Sequence, residues 1–306
     1  MAEALNYAVE YSQALALAYP NVLHFGALYA TPNNGRYRWT NARTIEIPRI
    51  KTTGRVDANR DTIATATRNY DNSWETKPLK RQRKWSTLVH PMDIDQTNMV
   101  ASITNITQTF NESQKFPEMD AYTISALYAA WSTKDSTDDE DKAFTADNTT
   151  PTTENVLTLF DDMMVKMDEA NVPANGRILY VTSPVKKMIG NAEKIYRSLD
   201  VSGGPNGINR TVSRLDEVEV ISVPSSLMKT KYKFETGYAE DEGTKQIYMF
   251  LVHPSAVITP VSYEFSQLDP PSAVTEGKYI YFEESHEDVF ILNKRKDALQ
   301  FVVEGE

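Results

Sequence analysis

Four histidines, His24, His90, His253 and His286, are the first candidates for chemistry. A zinc hydrolase helix carries two histidines one turn apart with a glutamate beside the first, and no such spacing occurs here. His90 and His253 each precede a proline, which suits an extended strand end better than a ligand or a base. The stretch SGGPNG at 202–207 is the glycine-rich segment that could approach a phosphate. It lacks the Gly-Lys-Ser/Thr ending of a phosphate-binding loop and does not fit the dinucleotide fingerprint, so it reads as a flexible loop. Asp138, Asp139, Glu140 and Asp141 could gather a divalent cation, yet the run has neither the spacing nor the glycine of a calcium loop. It reads as a solvated, self-repelling loop. No G-x-S-x-G nucleophile elbow is present. With no cysteine, disulfides and thiolate metal sites are impossible. Paired carboxylates of the glycosidase kind have no fixed spacing, so a carboxylate-dependent hydrolase in 156–255 stays open as an alternative. No catalytic residue, cofactor ligand or metal ligand is assigned.

A second chemistry is binding. Lys77, Lys80, Arg81, Arg83 and Lys84 crowd together between Trp74 and Trp85. Cations interleaved with aromatics suit single-stranded nucleic acid. They suit protein contacts equally, where Trp, Tyr and Arg are favoured anchors. The charge of the whole chain bears on the choice. Net charge is −10, but residues 1–92 hold 13 basic and 7 acidic residues, leaving 19 basic and 35 acidic for the rest. An acidic total argues against a protein built to grip phosphate backbones. A basic front and an acidic body could attract each other between copies of one chain, although uneven solvated faces would give the same count.

The elements that position these residues follow from pattern. Hydrophobic residues make 41% and charged residues 24% of 306, a globular composition large enough for one big core or two smaller ones. No apolar run is long enough to span a bilayer. The start, MAEALNYAVEYSQ, has Glu3 and Glu10 and no basic residue, unlike a secretory signal. Leu5, Val9 and Leu15 suggest a helix over 4–19 that Pro20 stops. Arg43 to Ile50 and Lys84 to Val89 read as strands, with a polar stretch from Lys51 to about Asn72 between them that reads as an arm ordered on a neighbour. Asp93 or Asp95 caps a helix bearing Met99, Ile103, Ile106 and Phe110; Pro117 ends it, and Asp120 caps a second segment with Tyr122, Leu127, Tyr128 and Trp131. Ser132 to Thr153 reads as a surface linker. Beyond it, Val156 to Met167 is helical, Ile178–Val181 a strand, Ser183 onward a helix with Pro184 at its first turn, and Val218–Val223 and Ile247–Val252 further strands. Val257–Phe265, Lys278–Glu283, Val289–Leu292 and Leu299–Val303 read as strands joined by turns.

This order of elements, with the wording of eight stretches, resembles the major capsid proteins of tailed bacteriophages with the Hong Kong 97 fold, of the type found in siphoviruses of Gram-positive hosts. The stretches are HFGALYATPNNGRYRW (24–39), TIEIPRI (44–50), RNYDNSWETKPLKRQRKWSTLVHPMDIDQTN (68–98), KFPEMDAY (115–122), GRILYVTSPVKKMI (176–189), RLDEVEVISVPSSLMKT (214–230), FLVHPSAVITPVSYEF (250–265) and KYIYFEESHEDVFILNKRKDALQF (278–301). Their number and order carry the resemblance.

The resemblance implies an α+β fold with an N-terminal arm (1–34), an extended E-loop (35–92) that lies across a neighbouring subunit, and a peripheral-domain spine helix and linker (93–155). An axial domain (156–255) follows, then return strands and a closing axial strand (256–306). It implies a shell subunit rather than an enzyme, partnered with copies of itself as hexamers and pentamers, and located in a virion made in a bacterial cytoplasm. It also implies a portal, packaged double-stranded DNA touched weakly and without sequence specificity, and, since the chain starts almost at the arm, a separate scaffolding protein or none. No cofactor and no membrane are implied. A nanocompartment shell of the encapsulin kind shares the fold and stands as an alternative. Some relatives crosslink subunits through lysine and asparagine; those positions are not matched here. On this layout Lys77, Lys80, Arg81, Arg83, Lys84, Trp74 and Trp85 are candidate intersubunit contacts. Gly203, Gly204 and Gly207 are a candidate capsomer-axis loop. Reversing the charge of Lys80, Arg81, Arg83 and Lys84 together is expected to block assembly and leave a folded subunit.

Overall fold

A computed structural model describes residues 21–55, 68–96, 102–135, 141–192 and 214–305. The helix read over 4–19, the tip of the 51–72 stretch and the 202–207 loop with Gly203, Gly204 and Gly207 lie outside the described residues. In chain order the strands are β1 (Arg38–Asn41), β2 (Thr44–Thr52), β3 (Tyr70–Pro78), β4 (Gln82–Val89), β5 (Ile178–Thr182), β6 (Arg214–Leu215), β7 (Val218–Val223), β8 (Tyr232–Lys233), β9 (Ala239–Glu240), β10 (Ile247–Val252), β11 (Val257–Ile258), β12 (Val261–Asp269), β13 (Tyr279–Glu287), β14 (Phe290–Ile291) and β15 (Leu299–Val303). The helices are α1 (Gly26–Tyr29), α2 (Pro91–Gln96), α3 (Ile103–Phe110), α4 (Phe116–Ser132), α5 (Val156–Glu169) and α6 (Ser183–Asn191).

One lobe is a five-stranded sheet in the order β15-β10-β5-β7-β6, with β5 and β7 parallel and the other pairs antiparallel. Its strands β5, β10 and β15 are buried almost throughout because both faces are covered. Tyr180, Phe250 and Phe301 point toward α1 and α4, into a core with Phe25, Ile124, Leu127 and Trp131. Leu179, Val181, Met249, Leu251 and Val302 point the other way, onto Phe160, Met163 and Met167 of α5 and Val185 and Ile189 of α6. The helix and strand assignments from pattern in this lobe hold.

The spine differs from expectation. Pro117 does not end the helix. A π-helical turn, Asn111–Lys115, joins α3 to α4. Proline lacks an N–H and its ring crowds the carbonyl four residues back; a widened turn just before Pro117 absorbs both. Asp120 is therefore not a cap of its own helix. It is buried within α4, where one oxygen accepts from the His24 N–H at 2.9 Å and lies 2.9 Å from His24 Nδ1, and the other accepts from the Phe25 N–H at 3.1 Å. It pins the segment that leads into α1 against the spine.

The stretch after the spine is no free linker where described. Phe144 stacks on Trp131, and Asp147 pairs with the edge of β15 through Asp147 N–H to Phe301 O (3.1 Å) and Val303 N–H to Asp147 O (2.8 Å). Asp141, read as one of a solvated acidic run, is buried. Its carboxylate is 2.7 Å from Lys296 Nζ, itself buried, and Lys296 also donates to Thr133 O at 2.8 Å.

The arm differs too. β2 and β3 form a nine-rung antiparallel ribbon, Thr44 opposite Pro78 and Thr52 opposite Tyr70, with β1 beside β2. The segment 70–72, expected within an unstructured stretch, is ladder. β4 belongs elsewhere. It pairs with β13, and β12 completes a three-stranded sheet whose one face lies on the spine.

Candidate assembly interface

Among the described residues the ribbon's buried anchor lies at its base. Ile45 and Ile47 are buried against Leu79 and Ile258. Lys77 Nζ sits 2.7 Å from Asn293 Oδ1, 3.1 Å from Glu75 Oε1 and 3.4 Å from Asp135 Oδ2, so the base of β3 is tied to the segment after β14. Farther out, Ile50, Tyr70 and Trp74 are 70%, 57% and 42% exposed. Trp74 carries the Arg38 guanidinium 3.7 Å above its ring.

The basic cluster divides in two. Arg81 is buried, donates to Glu118 Oε1 at 2.8 Å and stacks 4.0 Å over Tyr122. Arg83 shares that carboxylate, with Nε 2.8 Å from Glu118 Oε1, and donates to Phe234 O at 2.7 Å. These two fasten β4 to α4 within the subunit. Lys80 and Lys84 instead have exposed side chains. The backbone N–H of Lys80 donates to Asp288 at 2.8 Å, and Asp288 also accepts from Tyr122 Oη at 2.6 Å. Burial and the Asp288 charge push the Tyr122 hydroxyl far above its usual range, so it stays a donor. Trp85 stacks on Phe110 at 3.9 Å and 7°, and tilts against Tyr281. Among the seven positions proposed as contacts, Trp74, Lys80 and Lys84 point outward, whereas Lys77, Arg81, Arg83 and Trp85 hold the subunit together.

Sequence reasoning missed a second exposed surface. Alternation puts Arg83, Trp85, Tyr281 and Glu283 on the spine face of the three-stranded sheet. Leu88, Tyr263, Phe265 and Phe282 fall on the other. On that face Leu88, Tyr263 and Phe265 are 61%, 47% and 37% exposed. A residue's type cannot distinguish an apolar residue that faces a core from one that faces a partner.

Between the spine and this sheet lies a cleft of about 650 Å³ with Glu118, Glu283 and Glu287 in its wall. Glu118 is engaged by two arginines and Glu283 by Lys115 at 3.3 Å. Glu287 is pushed above the usual carboxylate range by burial, which Arg81 and Lys115 partly offset. The Tyr281 hydroxyl, donating to Glu283 at 2.9 Å, is pushed up to about 12, chiefly by burial. This is a set of charges that closes a joint between elements. Among the described residues no group of three His, Asp or Glu could hold a metal ion, and no helix is long and apolar enough to cross a membrane. His253 donates to or accepts from Ser255 at 2.7 Å and meets Asn175 O at 3.1 Å, which are local strand-end contacts.

No protein-family model matches the chain, and no curated protein matches its sequence. Solved structures do match. A structure of Mycobacterium phage Che8 superposes with a TM-score of 0.65 at 14% identity, covering 97% of each chain. The mature capsid of bacteriophage PhiM1 gives 0.67 at 12% identity, covering 98% of this chain and 91% of the other. The capsid of cyanophage P-SCSP1u gives 0.63 at 11%, covering 97% and 92%. The chain has the Hong Kong 97-like fold along nearly its whole length.

Proposed function

We propose that this protein is a major capsid protein whose copies assemble, as hexamers and pentamers, into an icosahedral shell around a phage double-stranded DNA genome. The observation that carries the reading is the β2–β3 ribbon. A narrow ribbon with both faces in water is marginal alone, and this one exposes Ile50, Tyr70 and Trp74. Among the described residues, its own subunit buries it at the base. A second copy supplies what is missing: a bare sheet face bearing Leu88, Tyr263 and Phe265. Ribbon on sheet buries both apolar patches and leaves each subunit one of each, so the contact propagates around a ring. Lys80 and Lys84 add attraction toward the acidic surface of a chain whose net charge is −10. Exposed pairs contribute about 0–1 kcal/mol each, which keeps single contacts reversible while a shell repeats them.

The role is structural rather than enzymatic, and the site of action is the virion. A separate scaffolding protein and a portal complete the assembly, and contact with packaged DNA is weak because the subunit is acidic. The test is the double variant Ile50→Ser/Tyr70→Ser, compared with the unsubstituted protein by urea titration and negative-stain microscopy. The reading expects an unchanged unfolding midpoint and no shells or rings. Normal shells from that variant would overturn it, and nucleic acid in purified particles separates a genome container from an enzyme-filled compartment.

A further inference from the structure

β12 is an edge strand of nine residues. It pairs with β13 on one side, and among the described residues no strand pairs with its other side. Long apolar edges template pairing with another chain, and proteins blunt them with proline, lysine, bulges or a cover. The segment VSYEFSQLD has no proline and no lysine. Its one irregularity lies between Val261 and Tyr263, where Ser262 Oγ also donates to Ala42 O. From Tyr263 onward the ladder with β13 is regular.

We propose that β12 is a homotypic docking strand: β12 of a second copy adds antiparallel across a two-fold axis at Phe265, joining two three-stranded sheets into one. The proposal rests on the shell reading, in which neighbouring subunits meet about two-fold axes. The register follows from charge and aromaticity. Centred on Phe265, Tyr263 faces Gln267, Glu264 faces Ser266, and Phe265 faces its own copy. No like charges are opposed. Centring one residue earlier sets Glu264 against Glu264, which like-charge repulsion disfavours. Centring one residue later breaks the Phe265 pair and places Asp269 against Tyr263. In the Phe265 register, Tyr263 and Phe265, whose rings lie 6.3 Å apart at 11°, meet their two-fold mates as a cluster of four aromatic side chains. Lys84 and Glu284 are opposite one another in register and leave the strand edge free. The backbone pairing uses the edge of this sheet, while the aromatic cluster shares Tyr263 and Phe265 with the ribbon contact described above, so the ribbon lies over the cluster rather than beside it.

The chain has no cysteine, which makes single substitutions clean reporters. Directly opposed residues in an antiparallel pair have Cα atoms about 4.5–5.5 Å apart, within the reach of a disulfide. Phe265→Cys in the full-length protein, mildly oxidised after assembly, should run mostly as a dimer on a non-reducing gel. Tyr263→Cys/Gln267→Cys, which leaves Phe265 in place, should do the same. Asp269→Cys places its sulfurs about 27 Å apart at 3.4 Å per residue and should remain monomeric. Absence of dimers from both of the first two, or equal dimer from Asp269→Cys, overturns the strand pairing whatever the protein assembles into. Failure of the unsubstituted chain to form shells is a separate result that bears on the shell reading alone.

Discussion

Arg81→Glu separates the folding role of the basic cluster from its proposed assembly role. Arg81 is buried, 2.8 Å from Glu118 and stacked on Tyr122. The substitution removes the cation and sets a second carboxylate beside Glu118, which Arg83 alone must then neutralise. Breaking one side of a buried ion pair costs about 3–5 kcal/mol, against a total of about 5–15 kcal/mol for a domain. With a urea dependence of about 1–3 kcal/mol per molar, the midpoint should fall by at least about 1 M. Lys80→Glu/Lys84→Glu changes two exposed side chains, worth within about 0.5 kcal/mol each. That variant should lower the midpoint far less than Arg81→Glu, since opposing a carboxylate to Glu284 across the ladder costs about 0.2–1 kcal/mol, yet it should fail to assemble at low salt. Urea titration followed by fluorescence, with sedimentation for assembly, reads both. An Arg81→Glu protein with the unsubstituted midpoint would refute the assignment of Arg81 to the subunit's own framework. The fourfold reversal suggested by sequence would damage the subunit before assembly could be judged.

Other outcomes follow from the same contacts. Asp120→Ala orphans the His24 and Phe25 N–H groups, at about 1–3 kcal/mol each; Asp120→Asn, which keeps an acceptor, should cost less in the same titration. Lys296→Met leaves Asp141 charged and buried and should cost about 3–5 kcal/mol, whereas Lys296→Met/Asp141→Leu should recover most of it; a double variant no better than the single would contradict the pairing. Glu287 binds its proton more tightly folded than unfolded, so its effect is to lower stability as pH rises from its ordinary 4.5 through its raised folded value. Glu287→Gln should therefore raise the midpoint at pH 7 relative to pH 4, and an unchanged pH profile would count against burial of that carboxyl.

What was legible in the sequence was the part whose burial is two-sided. IYMFLV and ILYVT are nearly unbroken apolar runs because helices cover both sheet faces, and α5 shows its buried face at helical spacing. β3 was not legible: in YDNSWETKP the one fully buried residue is Glu75, and its strand state comes from β2 rather than from its own pattern. Asp120 before an apolar run looks like a cap, and only the π turn ahead of Pro117 makes it an interior residue. Asp141 and Lys296 lie 155 positions apart, so no local signal marks them as a pair. Of the candidate contacts, residue type marks only a region rich in cations and aromatics. It could not say that Arg81 and Arg83 would be spent on Glu118 while Lys80 and Lys84 stay exposed.

The central claim is that copies of this chain close into a shell. Its most direct test is electron microscopy of the purified full-length protein across concentration and salt, alone and with the scaffolding protein proposed above. The account predicts closed polyhedral shells, or hexamer and pentamer rings that convert to shells. A compact monomer that persists under every condition, the proposed scaffolding protein included, would contradict it.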